Sequence, residues 1–446
     1  MLTPEYLSKI NEATQEKVSE VNSYLIARIA RQITATFEMN GNVELIPSSV
    51  YNVRKLVQAG VVYDDVQAEI ENKLPEIRQE VKTAFYDAAY KISQYNNAAV
   101  VNIIVQEQKN CNLLDLEVPK FNKTGIPKSA DELNMTQKEI RLLESAYRRT
   151  NGEITNITQS SASQAQKAFL NACDSTYFKA TRGVSLSKAI AESIEELAEK
   201  GITTVYYDNR EDSIETAIAR ATRTGINQAS GDITIARCAE TGASYVLVSQ
   251  HIGARVTGTN DYRDHSIWQG EVYSLDWSKS ELSKYLPTTQ EIAESKEQFS
   301  YLNDIKELAE SKVSKKYKDF IETCGYGKIQ GICGINCRHS FGLFYPGINI
   351  NTNKPLSETK NEEIYNLQQK QRKMESAIRN TKRKRDALKQ SGLQGEELES
   401  KLKQINTTLK RQNERYRQFC EENKGKGIKP INWRLKVAKI NGINNI

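Results

Sequence analysis

Apolar residues recur along the first part of the chain at intervals of three and four, the spacing that lines one side of an α-helix. Val18, Val21, Leu25, Ile29, Ile33 and Phe37 predict one long helix over 3–37, stopped by Asn40-Gly41-Asn42, residue types that tolerate left-handed backbone. Ser48 and Ser49 can cap a helix to Ala59, ended by Gly60; Asp64 and Asp65 cap the next. That helix is expected to stop at Leu74, because Pro75 disfavours helical backbone in the residue before it. Pro75 then suits the first turn of a helix from Glu76 to about Val105, with Ile77, Val81, Phe85, Ala88 and Ile92 on one side. Residues 111–128 read as a loop, and further helices are expected over Thr136–Arg149, Thr155–Cys173 and Ser185–Gly201.

The pattern changes near residue 200. Thr203-Thr-Val-Tyr-Tyr207 has the β-branched and aromatic content of a strand. Asp212 or Ser213 can cap a helix to about Ala239 whose inner face is Ile214, Ala217, Ile218, Ala221, Gly225, Ile233 and Ala236. Arg220, Arg223 and Arg237 on that helix read as solvated charges or ion-pair partners. Strands are expected at Tyr245–Ser249 and Gly270–Leu275, with Val272 and Leu275 facing inward, and helix returns between Thr289 and Thr323. No strand–helix–strand series supports a nucleotide-binding sheet.

Past residue 358 the period becomes a heptad: Ile364, Leu367, Gln371, Met374, Ile378, Thr381, Arg385 and Leu388. Ser391-Gly392 and Gly395 make a turn, and a second stripe follows at Leu398, Leu402, Ile405, Leu409, Tyr416 and Phe419. Two stripes joined this way predict an antiparallel αα-hairpin. The expected fold class is therefore α+β and mainly helical: a long-helix N-terminal domain over 1–200, a small α+β central domain over 201–350 and a C-terminal hairpin with its tail over 351–446.

Composition sharpens this picture in four ways. Only 38% of the 446 residues are hydrophobic and mean hydropathy is −0.61, so exposed helical surface is plentiful. Nine prolines favour long helices over an all-β sandwich. Neither a secretory leader nor a membrane-spanning run is evident, and seven scattered cysteines do not make a disulfide framework, so assembly in a cytoplasm is expected. The net charge of +6 is uneven: from Glu358 onward 22 Lys and Arg face 11 Asp and Glu, which gives +11 there and −5 elsewhere. A polyanion contact is thus expected in the tail, where Lys382-Arg383-Lys384-Arg385 concentrates charge near the hairpin tip. Those four could equally be a solvated face.

All three histidines and three of the cysteines fall between residues 244 and 345. Cys333-x3-Cys337-x-His339 places three metal-ligand types in seven residues, and His251, His265 or Cys324 could complete a tetrahedron. A structural zinc held by Cys333, Cys337, His339 and His265 is the one cofactor these residues suggest; the spacing departs from Cys-x2-Cys knuckles and lacks their second pair. The alternative is that the cysteines are small buried apolar residues and the histidine is hydrogen-bonded. A thiolate nucleophile at Cys337 lacks the rest of a catalytic set. Cys324-Gly-Tyr-Gly-Lys328 fits no phosphate-cradling spacing and reads as a turn-rich loop. His251, Arg255 and His265 could bind a carboxylate or phosphate, or form a buried polar network.

Ser249-Gln-His-Ile-Gly-Ala-Arg255, His265-Ser-Ile-Trp-Gln-Gly-Glu-Val-Tyr273, Cys324-Gly-Tyr-Gly and Cys333-Gly-Ile-Asn-Cys-Arg-His-Ser-Phe-Gly342 resemble the phage minor capsid protein 2 family, itself similar to the broader MuF-type head morphogenesis proteins. Ile218–Thr224 and the basic run Gln369–Arg379 are similar to theirs as well, and the likeness spans most of the chain in order. The resemblance implies a non-enzymatic virion protein present in few copies, sited at the portal vertex inside the head after assembly in the host cytoplasm. It implies a portal protein as partner, the major capsid or scaffolding protein besides, and no membrane; with packaged genome as the implied setting, the charge of Lys382, Arg383, Lys384 and Arg385 suggests non-specific DNA contact there. His251, Arg255, His265, Trp268, Gly270, Cys324, Asn336, Cys337, Arg338 and His339 carry over as structural signature residues. Some MuF-type proteins end in a toxin domain, whereas this chain ends in a helical hairpin. The rival reading is a metal-dependent hydrolase or nuclease using His251, His265, Cys333, Cys337 and His339.

Overall fold

A computed structural model describes residues 1–111, 135–205, 211–289, 317–347, 349–354 and 357–437. The loop expected at 111–128, the end of the strand expected at 203–207 and most of the helix expected at 289–323 lie outside these residues. The fold is α+β and mainly helical, as the periodicity predicts. Among the described residues no helix is long and apolar enough to cross a membrane.

The helices run longer than the sequence breakers suggest. Thr3 caps α1 (Pro4–Lys9) by accepting from the Tyr6 N–H, and a turn at Ile10-Asn11 separates it from α2 (Glu12–Phe37), so the helix expected over 3–37 is interrupted. Asn40 and Gly41 do adopt positive φ and close a two-residue hairpin between β1 (Glu38–Met39) and β2 (Asn42–Val43). The three helices expected between 48 and 105 are one, α3 (Ser48–Cys111), with Pro75 inside it. Proline removes the hydrogen bond to the carbonyl four residues back. Here Pro75 and Glu71 are both outside the core, so that carbonyl can turn to solvent. Val62, Val66, Ile70, Ile77 and Val81 are buried on either side, and their burial outweighs a local cost of about 3 kcal/mol. Gly60 costs less, about 1 kcal/mol, and is likewise absorbed. In the same way α4 (Gln137–Thr181) runs unbroken through Gly152, where two helices were expected. By contrast α5 (Leu186–Lys200) starts and stops where predicted, with Ser185 as N-cap and Gly201 as C-cap.

Among the described residues the remaining α-helices and strands are β3 (Thr203–Val205), β4 (Glu211–Ser213), α6 (Ile214–Glu240), β5 (Tyr245–Val248), β6 (Val272–Ser274), α7 (Ser280–Ser283), α8 (Phe320–Cys324), β7 (Phe341–Leu343), α9 (Glu358–Gln390) and α10 (Glu396–Glu422). They form two compact units, each assembled from three segments: 1–11, 81–151 and 220–366 in the first, and 12–80, 152–219 and 367–446 in the second. Each unit draws on all three of the regions into which the sequence pattern divides.

The first unit is built on an antiparallel sheet of order β6-β5-β7. Val246 lies between Tyr273 and Leu343, and these join Val248, Trp268, Phe320, Tyr326 and Phe341 in the core. On the other sheet face Leu247 and Val272 pack with Phe344. Gly342 in β7 has no side chain because the Tyr95 ring occupies that place: a Cβ there would come within 2.2 Å of it.

In the second unit β3 and β4 pair antiparallel, Thr203 opposite Ser213. Buried Ala189, Ile190, Ile194 and Leu197 give α5 an apolar face, and α5 packs on both α2 and α10. Within the hairpin Ile378, Tyr416, Phe419 and Cys420 form a small core, and Gln371 of α9 donates to the Tyr416 hydroxyl of α10.

Candidate functional site

His265, Cys337 and His339 meet in the core of the first unit, their ligand-type atoms all within 4.8 Å of one another. Their positions depend on separate elements. His339 lies just before β7, Cys337 ends a turn-rich loop, and His265 arrives from the segment between β5 and β6. The loop is tight at two glycines: a Cβ on Gly331 would lie 1.9 Å from the Gly325 carbonyl oxygen, and one on Gly334 would lie 2.3 Å from that of Ile329. Asn227 of α6 ties the loop down by donating to the carbonyls of Cys337 (3.2 Å) and His339 (3.0 Å).

Hydrogen bonds orient both imidazoles. His265 Nε2 is 2.8 Å from the Gln330 carbonyl oxygen, which can only accept, so Nε2 carries the proton and Nδ1 presents a lone pair. The backbone N–H of His251 donates to Gln269 Oε1 (2.9 Å), which fixes that amide with its oxygen toward the site. His339 Nε2, 3.2 Å from the same oxygen, is therefore the protonated nitrogen too, and its Nδ1 lone pair also faces Cys337. Each Nδ1 lies 3.8 Å from the Cys337 sulfur. Trp268 packs against the rings of His265 (4.6 Å) and His339 (4.9 Å), and His251 stacks on His339 at 4.5 Å.

Burial dominates the electrostatics. It drives His265 down to about 4 and His339 well below the usual histidine range, so both are neutral at pH 7. Burial pushes the Cys337 thiol up to about 11, against the pull of the His339 and Cys333 backbone N–H groups and the charges of Arg255 and Arg338. These three side chains are thus uncharged at pH 7.

The other residues singled out from sequence lie around this centre in different roles. The Cys333 sulfur is not within the group of three; it lies 3.9 Å from the His339 carbonyl oxygen. Arg255 donates to the carbonyls of Ile335 (2.8 Å) and Gln330 (3.3 Å), lashing the loop from outside. Cys324 is buried in the same core. Asn336 holds a left-handed φ of 58° and accepts from Arg223 (3.3 Å). Gly270, at φ 79°, accepts from Asn351 (2.9 Å) and Asn353 (3.2 Å) through its carbonyl. Arg338 is partly buried. Sequence reasoning missed Gln269, although it stands beside Trp268 in the His265–Tyr273 segment; only the fold shows that its amide sets the His339 tautomer.

With this geometry in hand, residues 2–421 match the family described as Phage minor capsid protein 2. The chain belongs to that family. No curated protein and no solved structure matches it. A phage minor capsid protein is a component of the virion, associated with other proteins of the head.

In this minor capsid protein the basic run at the hairpin is engaged within the chain. Arg383 is buried and paired with Glu215, so it cannot face a polyanion. Lys384 pairs with Glu199 (2.7 Å), Arg385 with Asp386 (2.8 Å), and Lys382 donates to the Leu435 carbonyl (2.5 Å). Other cations of the hairpin are exposed, and five of them lie on α10. Lys403, Lys410, Arg411, Arg415 and Arg417 are exposed, make no ion pair among the described residues, and share their stretch with a single acidic residue, Glu414. A second exposed feature is apolar: Val50, Val53, Leu56 and Val57 make one stripe along the start of α3, with Val53 and Leu56 about two-thirds exposed at 64% and 65%.

Proposed function

We propose that this minor capsid protein is a non-enzymatic head component that docks at the portal vertex inside the capsid and contacts packaged DNA without sequence preference. The observation that carries the reading is the family match over residues 2–421. Two surface features support its parts. The Val50–Val57 stripe is a contiguous apolar surface of the kind that marks protein–protein contacts, and its occupant in this reading is another head protein, the portal. The exposed α10 cations suit a polyphosphate backbone. The Cys/His cluster is then a structural centre that pins β7 and its loop to the rest of the core.

Replacing Val53 and Leu56 together with glutamate tests docking. Both side chains are exposed, so stability should change by no more than about 0.5 kcal/mol each. The variant is expected to fold yet be missing from purified particles. Full incorporation of the variant would remove the stripe from the reading, and absence of the unaltered protein from particles would overturn the reading itself.

DNA contact is tested by titrating duplex DNA across salt concentrations. Neutralising Lys410, Arg411 and Arg417 should flatten the salt dependence by about 0.9 for each phosphate left without its cation, about 2.7 for all three. Neutralising Lys384 alone should leave it unchanged. Affinity that is independent of salt would sink this part of the proposal.

A further inference from the structure

The cluster has a shortage of protons. With both Nε2 atoms committed as donors to Gln330 and Gln269, two buried Nδ1 lone pairs converge on one sulfur. The Cys337 thiol has a single proton to give, and three acceptors lie within reach: the two Nδ1 atoms at 3.8 Å and the His339 carbonyl at 3.7 Å. Switching either imidazole to its other tautomer does not help, because an unprotonated Nε2 would then face an oxygen that only accepts. The same sulfur receives the His339 backbone N–H at 3.3 Å, an arrangement that suits a thiolate. Buried polar atoms left without a partner are costly, and one cation at the centre satisfies both Nδ1 lone pairs and the sulfur at once.

We propose that His265, Cys337 and His339 hold one zinc ion through Nδ1, Sγ and Nδ1. A tetrahedral zinc with Zn–S of about 2.3 Å and Zn–N of about 2.0 Å sets its sulfur and nitrogen ligands about 3.5 Å apart. The two observed separations of 3.8 Å need to close by only a few tenths of an ångström. Each histidine already donates its other N–H to an oxygen, the outer contact that orients ligating imidazoles and makes them more basic. Zinc displaces the thiol proton to solvent and binds the thiolate; the histidines enter neutral and lose nothing. Cys333, in the same loop, is the residue to test as supplier of the fourth ligand.

The site stands on its own geometry and does not depend on where the protein sits in the particle. The test uses the full chain, purified without chelator. Metal analysis is expected to find stoichiometric zinc, removed by chelator, retained by Cys420→Ser and lost by Cys337→Ser. Cobalt added to the zinc-free unaltered chain is expected to give a sulfur-to-metal charge-transfer band saturating at one equivalent and bleached by zinc, a readout that needs no variant to fold. A weakened band in Cys333→Ser would identify a second thiolate in the shell. No zinc together with no cobalt band, or zinc held equally by Cys337→Ser, overturns the proposal. Zinc-dependent nuclease activity lost in His265→Ala would leave the metal site standing and overturn the non-enzymatic reading.

Discussion

Arg383→Ala is expected to destabilise the second unit by about 3–5 kcal/mol, the usual result of stripping one partner from a buried ion pair. Side-chain exposure is 5% at Arg383 and 12% at Glu215, and Asn22 donates a further hydrogen bond to that carboxylate at 3.1 Å. Burial alone would raise the Glu215 carboxyl, but the charge and hydrogen bonds of Arg383, with Asn22 and Arg379 behind them, hold it below its ordinary value. A depressed carboxylate contributes stability above its unfolded range of about 4.3 and loses it as pH falls through the folded value. Without Arg383 the buried Glu215 is driven upward instead, and the variant weakens as pH rises past the unfolded range. The gap between the two proteins should therefore be widest at neutral pH and shrink below about pH 4. Arg383→Met combined with Glu215→Gln should recover much of the loss, because neither charge then remains buried alone. With two units, one melting midpoint is not a well-defined readout, so hydrogen exchange of peptides from α5 and α9 is the measurement. A loss under about 1 kcal/mol would place this pair among ordinary surface pairs.

Trp268→Ala should cost the first unit as much or more. The side chain is fully buried and lies against the imidazoles of His265 and His339, and its indole N–H donates to the Tyr262 carbonyl at 3.1 Å. Removing it leaves a cavity worth about 3–5 kcal/mol, and the unpaired carbonyl adds about 1–3 kcal/mol. Trp268→Phe keeps most of the apolar volume and loses the hydrogen bond, so it should sit well below the alanine variant. Hydrogen exchange in β5 and β7 reports both. Alanine and phenylalanine variants that exchange alike would show that the hydrogen bond, rather than the packed ring, is what counts.

Much of this architecture was legible because local chemistry agreed with the global fold. Ser185 and Gly201 bracket α5, Ser213 caps α6 by accepting from Thr216, and the heptads over 364–388 and 398–419 mark both helices of the hairpin. The misreadings came where tertiary burial overrode a local breaker, at Gly60, Pro75 and Gly152. β7 was missed because three residues with a glycine at the centre give little periodic signal; what makes Gly342 fit is the Tyr95 ring, far away in sequence. The site was half legible for the same reason. Cys337 and His339 are neighbours in the chain, but His265 joins them from 72 residues upstream of Cys337, and Cys333, despite its promising spacing, lies outside the group of three. The run Lys382–Arg385 reads as surface charge in any local window; Glu215, which buries one of the four, is 168 residues from Arg383.

The first unit of this minor capsid protein is organised around a small sheet and a buried His/Cys centre, and the second carries the exposed apolar and basic faces. In the proposed function those faces work at the portal vertex. Chemical cross-linking of intact purified particles, followed by mass spectrometry, tests this most directly. Cross-links from α3 of this protein to the portal protein are expected, with this chain far less abundant than the major capsid protein. Abundance equal to the major capsid protein, or cross-links that never include the portal, would contradict it.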